Sequence, residues 1–265
     1  MDAVPALGLV VVGLLGLLIG SFLNVVIWRV PRGESVVAPP SACPGCEARI
    51  AWYDNVPVVS WLLLRARCRR CGERISPRYP VVELVTGALF VGTTLVVGWG
   101  PSLPAFLYLA SISVALAAID IDVHRLPDAI VLPSYPVAAV LLALASWDVG
   151  VDYDGAALLR AAVGGAALFV LYLALVLAHP RGMGLGDLKL AGILGMYLGW
   201  VGWGALAVGA FAAFLLGGVF GIVLMLVGRA GRKTKVPFGP WMLVGAAVGI
   251  AVGQPVADWY VALAL

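Results

Sequence analysis

Residues 103–120 read LPAFLYLASISVALAAID, a run from Leu103 that carries no charge until Asp120 closes it. Its length approaches the roughly 20 residues with which a helix crosses the ~30 Å hydrocarbon core of a bilayer. The same reading extends outward to eight segments, at roughly 5–28, 80–98, 103–120, 129–146, 156–178, 187–201, 203–228 and 240–262, of which the sixth is short. The chain is 62% hydrophobic and 12% charged, with a mean hydropathy of +1.04. A soluble domain carries about 25% charged residues. The expected fold is therefore an all-α polytopic membrane protein with about eight transmembrane helices. The first segment has no basic residue before its apolar run and is followed by Arg29 and Arg32, so it reads as a retained helix and not as a cleaved signal. Membrane lipid is the implied surrounding. The formal charge of +3 gives no reason to expect a nucleic-acid partner.

Basic residues set the expected orientation. The polar stretch 29–79 holds Arg29, Arg32, Arg49, Arg65, Arg67, Arg69, Arg70, Arg74 and Arg78. Threading eight spans outward puts Arg125, Arg181, Lys189, Arg229, Arg232, Lys233 and Lys235 on the same side, and leaves only Arg160 opposite, near Asp148, Asp152 and Asp154. Sixteen of the seventeen basic residues on one side is a strong positive-inside signal. Both termini are expected to be external, with 29–79, 120–128 and 179–187 cytoplasmic.

A second carboxylate stands at a helix end. Gly182-Met183-Gly184-Leu185-Gly186-Asp187 abuts an apolar run, 67 residues beyond Asp120. Acidic groups at the edge of hydrocarbon are costly and mark a reaction or an ion path. Two carboxylates at close range can share one proton near neutral pH. In such a pair one carboxylate can act as general base for a water and the other as general acid. Gly184 and Gly186 lack a Cβ and so let the helix start sharply and a neighbour approach.

The large loop carries the other constellation. Cys43-Pro44-Gly45-Cys46 and Cys68-Arg69-Arg70-Cys71-Gly72 are two Cys-x-x-Cys knuckles separated by 21 residues. Two such knuckles supply the four thiolates of a tetrahedral structural zinc site. Gly45 and Gly72 would provide the positive φ angles that turn backbone amides toward sulfur. A redox dithiol or unliganded thiols are the alternatives, and disulfides are disfavoured where thiols are kept reduced.

Together these pieces resemble the bacterial type IV prepilin peptidases, the leader peptidase/N-methyltransferases that process pilins and type II secretion pseudopilins. The resemblance rests on Gly20-Ser21-Phe22-Leu23-Asn24 through Pro31, the two knuckles, Tyr79-Pro80-Val81-Val82-Glu83 through Gly87, Asp120-Ile121-Asp122 through Leu126-Pro127-Asp128, Gly184-Leu185-Gly186-Asp187-Leu188-Lys189-Leu190, and Pro237-Phe238-Gly239-Pro240. These motifs stand in family order and cover about residues 14–240. The resemblance implies an intramembrane aspartic endopeptidase of the GxGD type in the cytoplasmic (inner) membrane, with Asp120 and Asp187 catalytic. Its substrates would be prepilins or pseudopilins. S-adenosylmethionine would be the co-substrate for N-methylation of the new N-terminal residue. Asn24 and Glu83 are the candidates for binding that methyl donor or the substrate. The implied organisation is a first transmembrane helix at 1–28, a cytoplasmic tetracysteine zinc loop at 29–79 and a transmembrane peptidase core at 80–265.

Neighbouring residues compete for these roles. Asp122 reads as a solvated neighbour or a modulator of the pair's pKa, and Asp128, after Pro127, as a helix cap. Asp187 and Glu83 also suit a helix N-terminus. His124 and His179 have no ligand spacing, and Lys189 would snorkel or pair with an aspartate. A transporter or channel is the rival class, and a zinc interaction module without chemistry is a third; the placement of the aspartates at helix ends instead of the midplane favours the peptidase. The oligomeric state and the particular prepilins are not legible.

Overall fold

The computed structural model describes residues 5–147, 154–179, 183–228, 231 and 237–264. Arg181, Arg229, Arg232, Lys233 and Lys235 of the charge argument, with Asp148, Asp152 and Gly182, lie outside the described residues. Every apolar segment of the sequence has become a helix: α1 (Ala6–Arg29), α3 (Arg78–Val97), α4 (Leu103–Val123), α5 (Asp128–Ala145), α6 (Gly155–Ala178), α7 (Leu185–Val201), α8 (Trp203–Leu226) and α9 (Gly239–Ala264). A short α2 (Val59–Leu63) interrupts the polar loop. Seven of these helices are long and apolar enough to cross a membrane; α7, at 17 residues, is the short one. The protein is an all-α polytopic membrane protein, with eight long apolar helices among its described residues, seven of them of membrane-crossing length.

Local chemistry explains the ends. Pro104 sits in the first turn of α4, where its missing N–H costs nothing. α4 runs one turn past Asp120 and stops at His124, whose left-handed conformation (φ 53°) returns its N–H to the Asp120 carbonyl. Pro127 then holds the chain extended and α5 begins at the next residue. The N–H of Ala157 at the start of α6 is capped by the Asp154 carboxylate at 2.9 Å.

The chain divides into two compact units. One comprises residues up to Trp99 together with 106–115 of α4; the other comprises 100–105, the end of α4 and everything after it. In the first unit α1 lies along α3. A Cβ on Gly16 would fall 2.8 Å from the Gly87 Cα, and one on Gly20 would fall 2.7 Å from the Glu83 Cα. Val12, Phe90 and Ala110 form a buried apolar cluster there.

In the second unit the pairs α6–α7 and α8–α9 make the most extensive contacts, and α7 also touches α5, α8 and α9. Lipid tails are as apolar as leucine side chains, so helices gain little from burying leucine and associate by close backbone approach at small residues. A Cβ on Gly164 would stand 2.6 Å from the Gly195 carbonyl oxygen, and one on Gly245 would stand 2.6 Å from the Ala213 nitrogen. α5 is fastened to α7 by polar ties: the Tyr135 hydroxyl donates to the Lys189 carbonyl at 2.7 Å, and Trp200 Nε1 donates to the Ser146 hydroxyl at 2.9 Å.

Gly195→Val should therefore destabilise the second unit by roughly 1–3 kcal/mol, the cost of overpacking a tight interface. Thermal unfolding of the detergent-purified protein would show a lower midpoint than for Gly218→Val, because Gly218 has nothing within 4 Å of the added carbon. Equal midpoints would refute the close-packing account.

Candidate functional site

The C-terminal end of α4 and the N-terminal ends of α7 and α9 converge within the second unit. Asp120 is buried, with 5% of its surface exposed. Its Oδ2 accepts the backbone N–H of Gly239, the first residue of α9, at 3.0 Å. Asp187 is the third residue of α7, and its Oδ2 accepts the Gly184 N–H at 3.1 Å. It is not the N-cap residue; that is Gly184. Its carboxylate reaches back to the cap's amide as the acidic half of a capping box does. Asp187 lies within electrostatic reach of Asp120 and of the buried Tyr172. The two carboxylates that the sequence places at separate helix ends thus lie at the same cluster of helix ends, within range of each other's charge.

Glycine and one leucine make that approach possible. A Cβ on Gly186 would lie 2.9 Å from the Cβ of Leu126, in the α4–α5 connection. A Cβ on Gly239 would lie 2.8 Å from Asp120 Oδ2 and 3.3 Å from Leu126 Cδ2. Leu126 therefore wedges between the two glycines. Gly184, by contrast, has an ordinary extended backbone (φ −81°, ψ 150°), so its dihedrals do not call for glycine. Tyr172, Phe214 and Phe238 stack around the site with centroids 5.4 to 6.4 Å apart. The sequence assigns no site role to Gly239, Leu126 or Tyr172. The Pro237–Pro240 motif was the available signal for Gly239, but a motif does not say which group its amide will meet.

The competing residues separate cleanly. Asp128 does not cap α5; it opens the first turn, where its carboxylate accepts both hydrogen bonds of Lys189 Nζ, at 2.7 and 2.8 Å. Lys189 thus pairs with an aspartate, but with neither Asp120 nor Asp187. Asp122 and His124 are exposed at the end of α4.

The second constellation lies in the first unit. All four sulfurs of Cys43, Cys46, Cys68 and Cys71 lie within 4.8 Å of one another, and those of Cys43 and Cys71 are 3.7 Å apart. Tetrahedral coordination with metal–sulfur bonds of about 2.3 Å requires sulfurs about 3.8 Å apart, so the cluster fits a metal ion. Each knuckle is a small backbone loop closed by an isolated bridge, Ala42–Arg49 or Arg67–Arg74. In each, the amide four residues after the first cysteine returns to that cysteine's carbonyl: Glu47 to Cys43 at 2.9 Å and Gly72 to Cys68 at 3.0 Å. These two equivalent residues are left-handed, with φ 54° at Glu47 and 76° at Gly72. Gly72 fulfils its expected role, but Gly45 does not; the first knuckle uses Glu47 because the turn places its strained residue after the second cysteine. The N–H groups of Cys71 and Arg70 lower the Cys68 thiol to about 6. Cys71 is pushed up to about 12: the Glu73 N–H favours its thiolate, but desolvation and the sulfurs of Cys46, Cys43 and Cys68 prevail. Four thiolates so close need a cation before all can ionise.

Asn24 and Glu83 both stand along the α1–α3 packing of this unit. Asn24 Nδ2 donates to the carbonyls of Gly20 and Tyr79, at 3.3 and 3.2 Å. Glu83 lies beyond the first turn of α3, so it does not serve the helix N-terminus. It is buried, and its Oε2 accepts the Val58 N–H at 2.8 Å while Ser21 also hydrogen-bonds it.

Fold and sites together define a polytopic helical membrane protein with two carboxylates, one buried and one half-buried, at clustered helix ends and a tetracysteine loop. The chain belongs to the type IV leader peptidase family. That family's model matches residues 106–226, and the model described as the bacterial peptidase A24 N-terminal domain matches residues 14–97. Among curated proteins it is 36% identical over 289 residues to the prepilin leader peptidase/N-methyltransferase of Aeromonas salmonicida, covering 98% of this chain and 96% of that one. It is 37% identical over 283 residues to the protein of that name from Aeromonas hydrophila, covering 97% and 94%. With the Myxococcus xanthus protein of that name the identity is 44% over 223 residues, 83% of this chain and 64%, less than two thirds, of the relative. No solved structure matches the chain significantly.

The knuckle geometry yields a test. Gly72→Val should speed metal loss to a chelator, because a left-handed β-branched residue costs roughly 1–2 kcal/mol. Glu47→Gly should slow it, by relieving the same strain. Elemental analysis after timed chelator exposure reads both, and the reverse order would contradict the assigned turn.

Proposed function

We propose that this chain removes the leader peptide from type IV prepilins or type II secretion pseudopilins and then N-methylates the newly exposed residue. The family and the curated relatives of this name support both activities. The observation that carries the peptidase half is the approach of Asp120 and Asp187, each anchored through Oδ2 by a backbone N–H. Anchoring through one oxygen leaves Oδ1 of each to handle a proton. In this reading the ionised carboxylate takes a proton from the water that attacks the scissile carbonyl. The protonated one gives its proton to the leaving nitrogen as the C–N bond breaks, so one water is added across the peptide bond. Backbone donors hold both groups before substrate arrives, as preorganised catalysis requires.

The family and the seven apolar helices fit a multi-pass protein of the inner membrane. We place both termini outside and the carboxylates with the cysteine loop at the cytoplasmic face, on the distribution of basic residues. A substrate whose basic leader stays in the cytoplasm and whose apolar helix lies in the bilayer is cut where those two regions meet. The division proposed is a first helix at 1–28, a loop at 29–79 ordered by zinc, and a peptidase core at 80–265. The sulfur spacing and the all-thiolate donor set favour zinc over harder cations. With four protein ligands it would be structural, ordering the loop and taking no part in the chemistry. Methyl transfer moves CH3 from the sulfonium of S-adenosylmethionine to the neutral amine, which then loses a proton. Glu83 and Asn24 remain the candidate positioning residues for that step. Co-expression with a prepilin, followed by mass spectrometry of the pilin N-terminus, reports cleavage and methylation together; an uncut, unmethylated pilin would overturn the proposal.

Asp120→Asn and Asp187→Asn should each abolish leader removal at near wild-type abundance, while Asp122→Asn keeps substantial activity. Gly239→Ala should slow cleavage about tenfold or more, because its methyl group displaces the Asp120 carboxylate and catalytic rates are sensitive to ångström shifts. Normal cleavage by Asp120→Asn with a dead Asp122→Asn would move the assignment by two residues.

The two chemistries should also separate. Asp187→Asn is expected to methylate a pre-cleaved pilin N-terminus, since no acid–base pair is needed to move a methyl from sulfonium to a free amine. Glu83→Ala is expected to lose methyl transfer more than cleavage. Radiolabelled methyl transfer to a synthetic mature N-terminus tests both variants, and parallel loss of both activities in each would indicate one shared site.

A further inference from the structure

The loop between α1 and α3 exposes apolar surface that a water-facing loop would not keep. α2 turns Ser60 and Trp61 inward. The Ser60 hydroxyl accepts the Val56 N–H at 3.0 Å and donates to the Tyr53 carbonyl at 2.9 Å, while Trp61 Nε1 donates to the Ile75 carbonyl at 3.2 Å. The opposite face presents Val56, Val59, Leu62 and Leu63, the last two 60% and 77% exposed. Val59, Leu62 and Leu63, three and four residues apart within α2, form one stripe, and Val56 is exposed just before it. Trp52, 83% exposed, lies just before this stretch.

The depth of this stripe is set by a second observation. The residue before α2, Val58, holds a left-handed conformation (φ 60°) that a β-branched side chain rarely adopts. It is held there by the buried Glu83 carboxylate, which accepts its N–H at 2.8 Å. Glu83 lies five residues into α3, a membrane-spanning helix, or about 7.5 Å along its axis at 1.5 Å per residue. The clamp therefore ties the start of α2 to the level of the first turns of α3, where hydrocarbon gives way to headgroups. Charge is the third observation. Residues 29–79 contain nine arginines against Glu34, Glu47, Asp54 and Glu73, and Asp54 is already bound to Arg69 at 2.6 Å. Arg49, Arg65, Arg67, Arg70 and Arg74 are exposed.

We infer that α2 is an interfacial anchor: Val56, Val59, Leu62 and Leu63 lie in the headgroup–acyl boundary of the bilayer, and the arginines around them face anionic phospholipid headgroups. An amphipathic segment with an apolar stripe and an arginine-rich surround binds such a surface by both forces. The Glu83–Val58 bond is the hinge that keeps the cysteine loop folded down onto the membrane.

The test uses the full-length protein in nanodiscs of phosphatidylcholine, with and without phosphatidylglycerol. A photoreactive benzoylphenylalanine is placed singly at positions 59, 62 and 63, with position 84 of α3 as the lipid-facing reference (Leu84, exposed), and adducts are identified by mass. Positions 59 and 63 should give phospholipid adducts in yields comparable to position 84, rising when phosphatidylglycerol is present. Amide exchange of residues 59–64 in the unmodified protein should slow in the anionic nanodiscs, which keeps the test valid if a labelled variant folds poorly. Adducts only with solvent, or only with an added prepilin helix, would overturn the anchor, as would yields and exchange rates indifferent to anionic lipid.

Discussion

The hydrogen bond from the Gly239 amide to the Asp120 carboxylate is the constraint on which the second unit turns. It joins residues 119 positions apart and is made at the end of a membrane helix, where an unpartnered carboxylate is expensive. The N-terminus of α9 offers unsatisfied amides and the positive end of its dipole, so it receives the carboxylate without adding a full charge. Because the bond is short and its donor has no side chain, α4 and α9 are brought to near backbone contact. Leu126 then fills the space against Gly239 and Gly186, and that packing carries α7, and with it Asp187, into position. One polar bond and two absent methyl groups account for a pair that no local signal could assemble.

Elsewhere the molecule solves membrane packing by the same economy of side chain. Gly164 against Gly195 and Gly245 against Ala213 let helix backbones touch, because contact between backbones gains dispersion energy that leucine against lipid cannot supply. The cysteine loop faces the opposite difficulty. It has few buried apolar residues, with Cys43 among the few, so its order rests on the two closed knuckles and its attachments to α3, and a metal held by the four sulfurs would add to it. This matches the general behaviour of small metal-ordered elements, whose folding energy is largely binding energy.

Legibility followed the range of the interaction. All eight apolar segments became helices, with boundaries within a few residues, because hydropathy over about 20 residues is a summed and robust signal. The four cysteines came together as spacing implied, since each knuckle is local. Glu47 was hidden because the left-handed residue was sought between the cysteines and the turn places it just after them. Asp128 looked like a cap until Lys189, 61 residues away, supplied a partner. Gly239, Leu126 and Tyr172 could not be read as parts of one site, since their roles depend on which helix ends meet.

The partner of Lys189 has a consequence for the proposed catalytic pair. Lys189 is two residues from Asp187 on α7, and its ammonium is held by Asp128 through both carboxylate oxygens. A full positive charge placed against a carboxylate pair would keep both members ionised, and hydrolysis by such a pair needs one of them to carry a proton. Asp128 keeps the nearby cation turned outward, while the amides of Gly184 and Gly239 orient the carboxylates with partial charges alone.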